Sequence, residues 1–212
     1  NLRQTVSVSI GTVTVIMFSL GLVLMAKERT EAALRELALR DPLTGIANRR
    51  AILAACEREL ERARRAGTPL AIALLDIDHF KRINDSYGHQ AGDLVLSQVA
   101  EVLRQTLRRG DLASRTGGEE FVAVCLGVDD GGVLQLAERL RAAIERQEVR
   151  LPGVQGPVRC TVTVGVSLPF DGLKGLEAAM QQADAALYRG KQAGRNRVEL
   201  GHSGGGDPEV AP

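Results

Sequence analysis

Hydrophobic and polar positions divide the chain into three stretches of different character. From Thr5 to Ala26 no charged residue occurs, and an apolar run of that length meets the roughly 20 residues needed to cross a bilayer core. One transmembrane helix is therefore expected within residues 1–27. A secretory signal peptide would have a shorter apolar region and a small-residue cleavage site. Arg3 precedes the run and Lys27 and Arg29 follow it, so charge alone orients it weakly. From Glu28 to Arg40 strong helix formers place Ala33, Leu34, Leu37 and Ala38 on one face. That stripe needs a partner, either the helix's own domain or a second copy of the helix in a short coiled coil.

Beyond it, one domain is expected over residues 41–200. Asp41-Pro42 reads as the cap and first residue of a new helix. Helices are predicted over Ala51 to Arg65, Gly92 to Leu107, Val133 to Ile144 and Leu176 to Gly190. The unbroken apolar run Pro69 to Ile77 reads as a buried strand. Leu112 to Arg115 and Phe121 to Leu126 flank Gly117-Gly118 as a hairpin, and Cys160 to Ser167 and Arg197 to Leu200 close the strand set. Interleaved strands and helices around a hairpin give an α/β (α+β) fold, a sheet covered by helices. The glycine-rich end, residues 201–212, is expected to be disordered.

Composition narrows the function. Lys plus Arg number 27 against 26 Asp plus Glu, a formal charge of +1, so the chain lacks the basic footprint by which proteins displace counterions from nucleic acid. Aromatic residues make up 3 % of the chain and Trp is absent, which argues against stacking platforms for single strands. Cys56, Cys125 and Cys160 are far apart and form no metal-binding pair, so they read as small core residues in a reducing compartment. Because Asn1 rather than Met opens the chain, a preceding segment is expected to have been removed.

Candidate chemistry gathers at two places. The strand ending at Ile77 runs into Asp76-Ile77-Asp78-His79-Phe80-Lys81. A carboxylate at the rim of a core needs a metal, a cation or several donors, although Asp76 or Asp78 could instead cap the next helix. In the hairpin, Gly117-Gly118 permits a tight turn and Glu119-Glu120-Phe121 follows. Adjacent strand residues point to opposite faces, so one of the two glutamates should face Asp76. A carboxylate from each segment would frame an octahedral magnesium site of the phosphoryl- or nucleotidyl-transfer kind.

Together these segments resemble the GGDEF domains of diguanylate cyclases. The resemblance runs from Asp41 to Val198 through DPLTGIANRR, DIDHFKRINDSYGHQAGD, GGEEF, TVTVGVS and ADAALYRGKQAGRNRV. It implies a central, mostly antiparallel sheet like that of nucleotidyl cyclases and polymerase palms. It also implies condensation of two GTP into cyclic di-GMP and two pyrophosphates across a homodimer, with Mg2+, or Mn2+ in its place. Asp76, the Ile77 carbonyl and Glu119 would hold the metal, and Glu119 and Glu120 would be catalytic. Phe80, Lys81, Asn84, His89, Asp93, Lys191 and Arg195 would bind substrate, with Asn84 and Asp93 reading guanine and Lys81, Lys191 and Arg195 meeting the triphosphate. Arg108 and Asp111 resemble an inhibitory product site for cyclic di-GMP. Thr116 departs from the bulkier residue usual before the glycine pair, which could loosen the hairpin. The implied place is the inner membrane, reached through the N-terminal helix, with the catalytic domain in the cytoplasm. The alternative is a non-catalytic module that binds cyclic di-GMP or GTP to control a partner.

Overall fold

In the computed structural model, strict alternation along one buried strand sets the architecture. Strand β2 (Leu70–Ile77) turns Leu70, Ile72, Leu74 and Asp76 to one face and Ala71, Ala73, Leu75 and Ile77 to the other. The first face packs against helices α1 (Arg49–Ala66) and α5 (Leu173–Gln192), whose Ile52, Cys56, Leu60, Ala63, Ala179 and Ala183 join Leu70, Ile72, Val122 and Val124. Against the second lie α2 (Phe80–Tyr87), α3 (His89–Thr106) and α4 (Asp130–Glu145), in a larger core that includes Val95, Val99, Leu103, Leu140 and Ile144. The sheet is thus covered on both sides, as the interleaved pattern predicts.

Its six strands run in the order β1 (Ala47–Asn48), β3 (Leu112–Gly117), β4 (Glu120–Leu126), β2, β7 (Val162–Val166), β8 (Val198–Leu200). The three central pairings are antiparallel and the two outer ones parallel. A separate two-stranded ribbon pairs β5 (Val149–Arg150) with β6 (Pro157–Val158). Burial pushes the Cys56 and Cys160 thiols up to about 11 and Cys125 up to about 12, as inert core residues require.

The structure describes residues 17–30, 38–151 and 154–202. The chain divides into two units, residues 1–40 and 41–212. In the first, residues 17–30 are helical with exposed apolar side chains such as Phe18 and Val23. Among the described residues no helix is long and apolar enough to cross a membrane. Residues 5–16 of the expected span lie outside the described residues, as do most of the Glu28 to Arg40 helix and nearly all of the tail.

One predicted start is corrected. Asp41-Pro42 opens a turn rather than a helix: Asp41 Oδ1 accepts from the Thr44 backbone N–H at 2.9 Å and the Thr44 hydroxyl at 2.6 Å, and the Asp41 N–H donates to the Ile46 carbonyl at 2.8 Å. This closed turn tucks Ile46 into the core. The chain then extends as β1 before Asn48 caps α1 through the Ala51 N–H. Asp41 also faces Arg115 Nη1 at 3.2 Å, both side chains being about 15 % exposed.

Burial opposes ionisation of Asp41, but the Thr44 hydrogen bonds and the Arg115 charge outweigh it and hold the carboxyl below its ordinary value of 3.8. A depressed acid contributes stability that is complete above the ordinary value and is lost as pH falls through the folded-state value. Asp41→Asn is expected to cost about 2 kcal/mol at pH 7. The difference should shrink as pH drops below 4, which urea midpoints of both proteins at pH 7 and pH 3 would measure.

Candidate active site

The site begins where β2 and β4 end side by side. Their register sets Asp76 directly opposite Glu120, and Ile77 donates to the Glu119 carbonyl at 3.3 Å. Directly opposed residues of antiparallel strands share a face, so Asp76 and Glu120 look toward α5. There Lys191, in the last turn of α5, places Nζ 2.8 Å from Asp76 Oδ2. Asp76 is 7 % exposed and this ammonium is what compensates its buried charge.

Glu119 occupies the turn that Gly117 and Gly118 make possible, and Gly118 has φ +51°. Burial raises its carboxyl above the ordinary range, the Asp76 charge raises it further, Lys191 partly opposes this and Glu120 adds to it. The sequence expectation that one glutamate faces Asp76 therefore resolves into two roles, Glu120 by register and Glu119 by proximity of charge.

This donor set fits a divalent cation. Asp76 and Glu119 are hard oxygen ligands whose mutual repulsion, visible in the raised Glu119 carboxyl, a bound cation would relieve. Among the described residues no group of three His, Cys, Asp or Glu can hold an ion on its own. The protein would supply only part of the shell, as is usual where magnesium keeps water and phosphate oxygens.

The other expected residues fall around α2 and α3. Phe80 is buried, its ring packed in the core at the start of α2, whereas Lys81 and His89 are exposed. Asp93 is exposed in the second turn of α3 and caps nothing, because that helix starts at His89. Asn84 Oδ1 is buried with no hydrogen-bond partner. A Cβ at position 92 would lie 2.0 Å from that oxygen and 3.0 Å from the Phe80 ring, so Gly92 keeps open the slot that Asn84 occupies. An unpaired buried acceptor is costly, and a ligand N–H would satisfy it.

Arg108 and Asp111 do meet, Nε to Oδ2 at 3.4 Å, but the Asp111 side chain is 1 % exposed. Its oxygens are taken up by the backbone N–H groups of Arg108 and Leu126. The carboxylate shapes this corner while the Arg108 guanidinium, 58 % exposed, opens onto a groove of about 600 Å³ shared with Arg139.

Sequence reasoning missed Arg139 and Arg115. Arg115 donates from Nε and Nη2 to the Gly118 carbonyl at 2.9 and 2.7 Å while also holding Asp41. Thr116 sits at the bulge between the hairpin strands and, with Glu120, Met180 and Asp184, lines a cavity of about 210 Å³.

An antiparallel-centred α/β sheet with acids converging on a hairpin and cations at a helix end defines a class of domain, and known proteins identify it. The chain belongs to the family described as diguanylate cyclase, GGDEF domain, which it matches over residues 38–197. It is 47 % identical over 166 residues to diguanylate cyclase DgcP of Pseudomonas aeruginosa and 37 % identical over 160 residues to diguanylate cyclase DosC of Escherichia coli. These matches cover 78 % and 76 % of this chain but span only 24 % and 34 % of those proteins. Its structure is similar to that of the coiled coil and GGDEF domain of DgcB from Caulobacter crescentus in complex with c-di-GMP. There the TM-score is 0.78 at 33 % identity, covering 87 % of this chain and 96 % of the other.

Proposed function

We propose that residues 41–200 condense two molecules of GTP into cyclic di-GMP with release of two pyrophosphates, as a diguanylate cyclase. The observation that carries this reading is the convergence of Asp76, Glu119, Glu120 and Lys191 at the meeting ends of β2 and β4. Mg2+, or Mn2+ in its place, would be held by the Asp76 and Glu119 carboxylates and the Ile77 carbonyl and would disperse phosphate charge.

The remaining chemistry belongs to the chain. Lys81, Lys191 and Arg195 meet the triphosphate, and Lys191 already neutralises Asp76. Asn84 offers its unpaired Oδ1 to a guanine N–H, with His89 at the start of α3 and Asp93 in its second turn. The Glu119 carboxylate, assisted by Glu120, accepts the proton of a ribose 3'-hydroxyl. That oxygen bonds the α-phosphorus of the other GTP as the bond to the bridging oxygen breaks and pyrophosphate leaves. A second, symmetric transfer closes the ring, so two domains of a homodimer must face each other.

Regulation has two sources. Arg108 and Asp111, at the groove shared with Arg139, form an inhibitory site for the product, and the similar DgcB structure is of a complex with c-di-GMP. The Glu28 to Arg40 stripe pairs two copies, and the apolar Thr5 to Ala26 stretch anchors the chain in the inner membrane with the catalytic domain in the cytoplasm. The exposed apolar side chains of residues 17–25 support an anchor, since such surface marks contact with a membrane or a partner.

The test is incubation of the whole chain in detergent with GTP and magnesium, with nucleotides separated by chromatography. Cyclic di-GMP and pyrophosphate are expected, and a chelator should abolish both. Intact GTP even after artificial dimerisation would overturn the reading.

A further inference from the structure

Asp78 lies just past the end of β2, is 5 % exposed, and has no place in the chemistry above. Its carboxylate is nonetheless fully engaged. Oδ1 accepts from the Thr163 hydroxyl at 2.6 Å, and Oδ2 accepts from the Thr161 hydroxyl at 2.7 Å and the Asn196 backbone N–H at 3.0 Å. Its own N–H donates to the Thr161 carbonyl at 2.9 Å. One side chain thus joins three segments: the end of the Asp76 strand, β7, and the turn between α5 and β8. Thr163 is the residue that β7 sets directly opposite Asp76, so the junction sits beside the proposed metal carboxylate.

The third segment has an unusual backbone. Gly194, Arg195 and Asn196 follow one another with φ of +112°, +64° and +45°. Glycine accepts this readily, but a non-glycine residue there is strained and persists only when its surroundings over-determine it. Those surroundings are visible. Besides the Asp78 bond, the Asn196 amide donates to Glu145 at 2.7 Å and accepts from Arg141 at 2.7 Å. The Arg195 N–H donates to the Gly190 carbonyl at 3.0 Å. The strain falls on Arg195 and Asn196 together, and the Arg195 side chain is exposed.

We infer that Asp78 is a positioning residue, which holds the Arg195–Asn196 turn in its left-handed conformation and so aims Arg195 at the distal phosphates of a nucleotide bound at Asp76. This rests on the proposed GTP site. It differs from a helix-capping role, because α2 begins after His79 with no side-chain cap. The carboxylate accepts from all three donors at once, whereas an amide accepts through its oxygen alone and would reverse the hydrogen bond to one of the threonine hydroxyls.

The test compares binding of a nonhydrolysable α,β-methylene analogue of GTP with binding of GMP, by calorimetry with magnesium. Parent, Asp78→Asn, Arg195→Ala and the double variant are measured. Asp78→Asn is expected to weaken the analogue about tenfold and GMP less than about twofold, because GMP lacks the phosphates that Arg195 would meet. In the Arg195→Ala background, Asp78→Asn should change analogue affinity less than about twofold, since the two act as one unit. Equal losses for both ligands, or full additivity in the double variant, would overturn the inference. If Asp78→Asn does not fold, Thr161→Val removes one donor from the same carboxylate and should give a smaller, equally selective loss, and no loss would overturn it. A parent that binds neither ligand removes the GTP site itself, an outcome distinct from a parent that binds and variants that do not discriminate.

Discussion

Asp76→Asn is expected to lower the rate of cyclic di-GMP formation by about a hundred- to a thousandfold, the cost typical of removing one preorganised electrostatic group from a reacting centre. The substitution preserves shape and leaves the backbone pairing with Glu120 and Thr163 untouched. It loses the 2.8 Å pair with Lys191 but frees Glu119 from a repulsive neighbour. These changes oppose each other, so the unliganded variant should melt within a few degrees of the parent. Added magnesium and GTP should raise the melting temperature of the parent only, because a ligand stabilises by mass action in proportion to its affinity. An active variant, or one that is inactive only because it unfolds, would remove Asp76 from the proposed chemistry.

Gly165→Ala should be the most damaging single-methyl change in the domain. A Cβ there would lie 2.1 Å from the Ala183 carbonyl oxygen and 2.3 Å from the Leu187 nitrogen. Both are backbone atoms of α5, so the helix would have to lift from β7. The expected loss is about 3 kcal/mol or more, read from urea unfolding. Activity should fall beyond what the lost stability explains, because α5 also carries Lys191 to Asp76. Gly190 makes a second close approach, with a Cβ 2.6 Å from the Thr163 methyl. A Gly165→Ala protein of parental stability would show that α5 is not seated as described.

Much of this was legible in the chain. The apolar run before Asp76 and the paired glycines before Glu119 fixed the strand and hairpin, because alternation and turn chemistry are local. The elements that escaped are those whose register is set from a distance. Strand β1 is two residues long and exists because β3 lies beside it. The short helix α2 follows β2 after a non-glycine residue, His79, in a left-handed conformation, which no periodicity announces. Asp41-Pro42 carried a sound helix-start signal, yet Thr44 satisfied the aspartate within a turn. At the site, the acids of the strand end and the hairpin were readable by type and spacing, while the lysines and Asn84 came from the family resemblance. Arg115 and Asp78 were not assigned their roles, since their partners are 74 and 118 residues away in the chain.

Arg115 gives the hairpin a mechanical property. It grips the first residue of the domain with one arm and the Gly118 carbonyl with the rest of its guanidinium. Load arriving along the chain at Asp41 therefore does not have to travel through the core to reach the Gly118 turn. It crosses a single side chain, and the hairpin turn shares an anchor with the point where the domain is tethered.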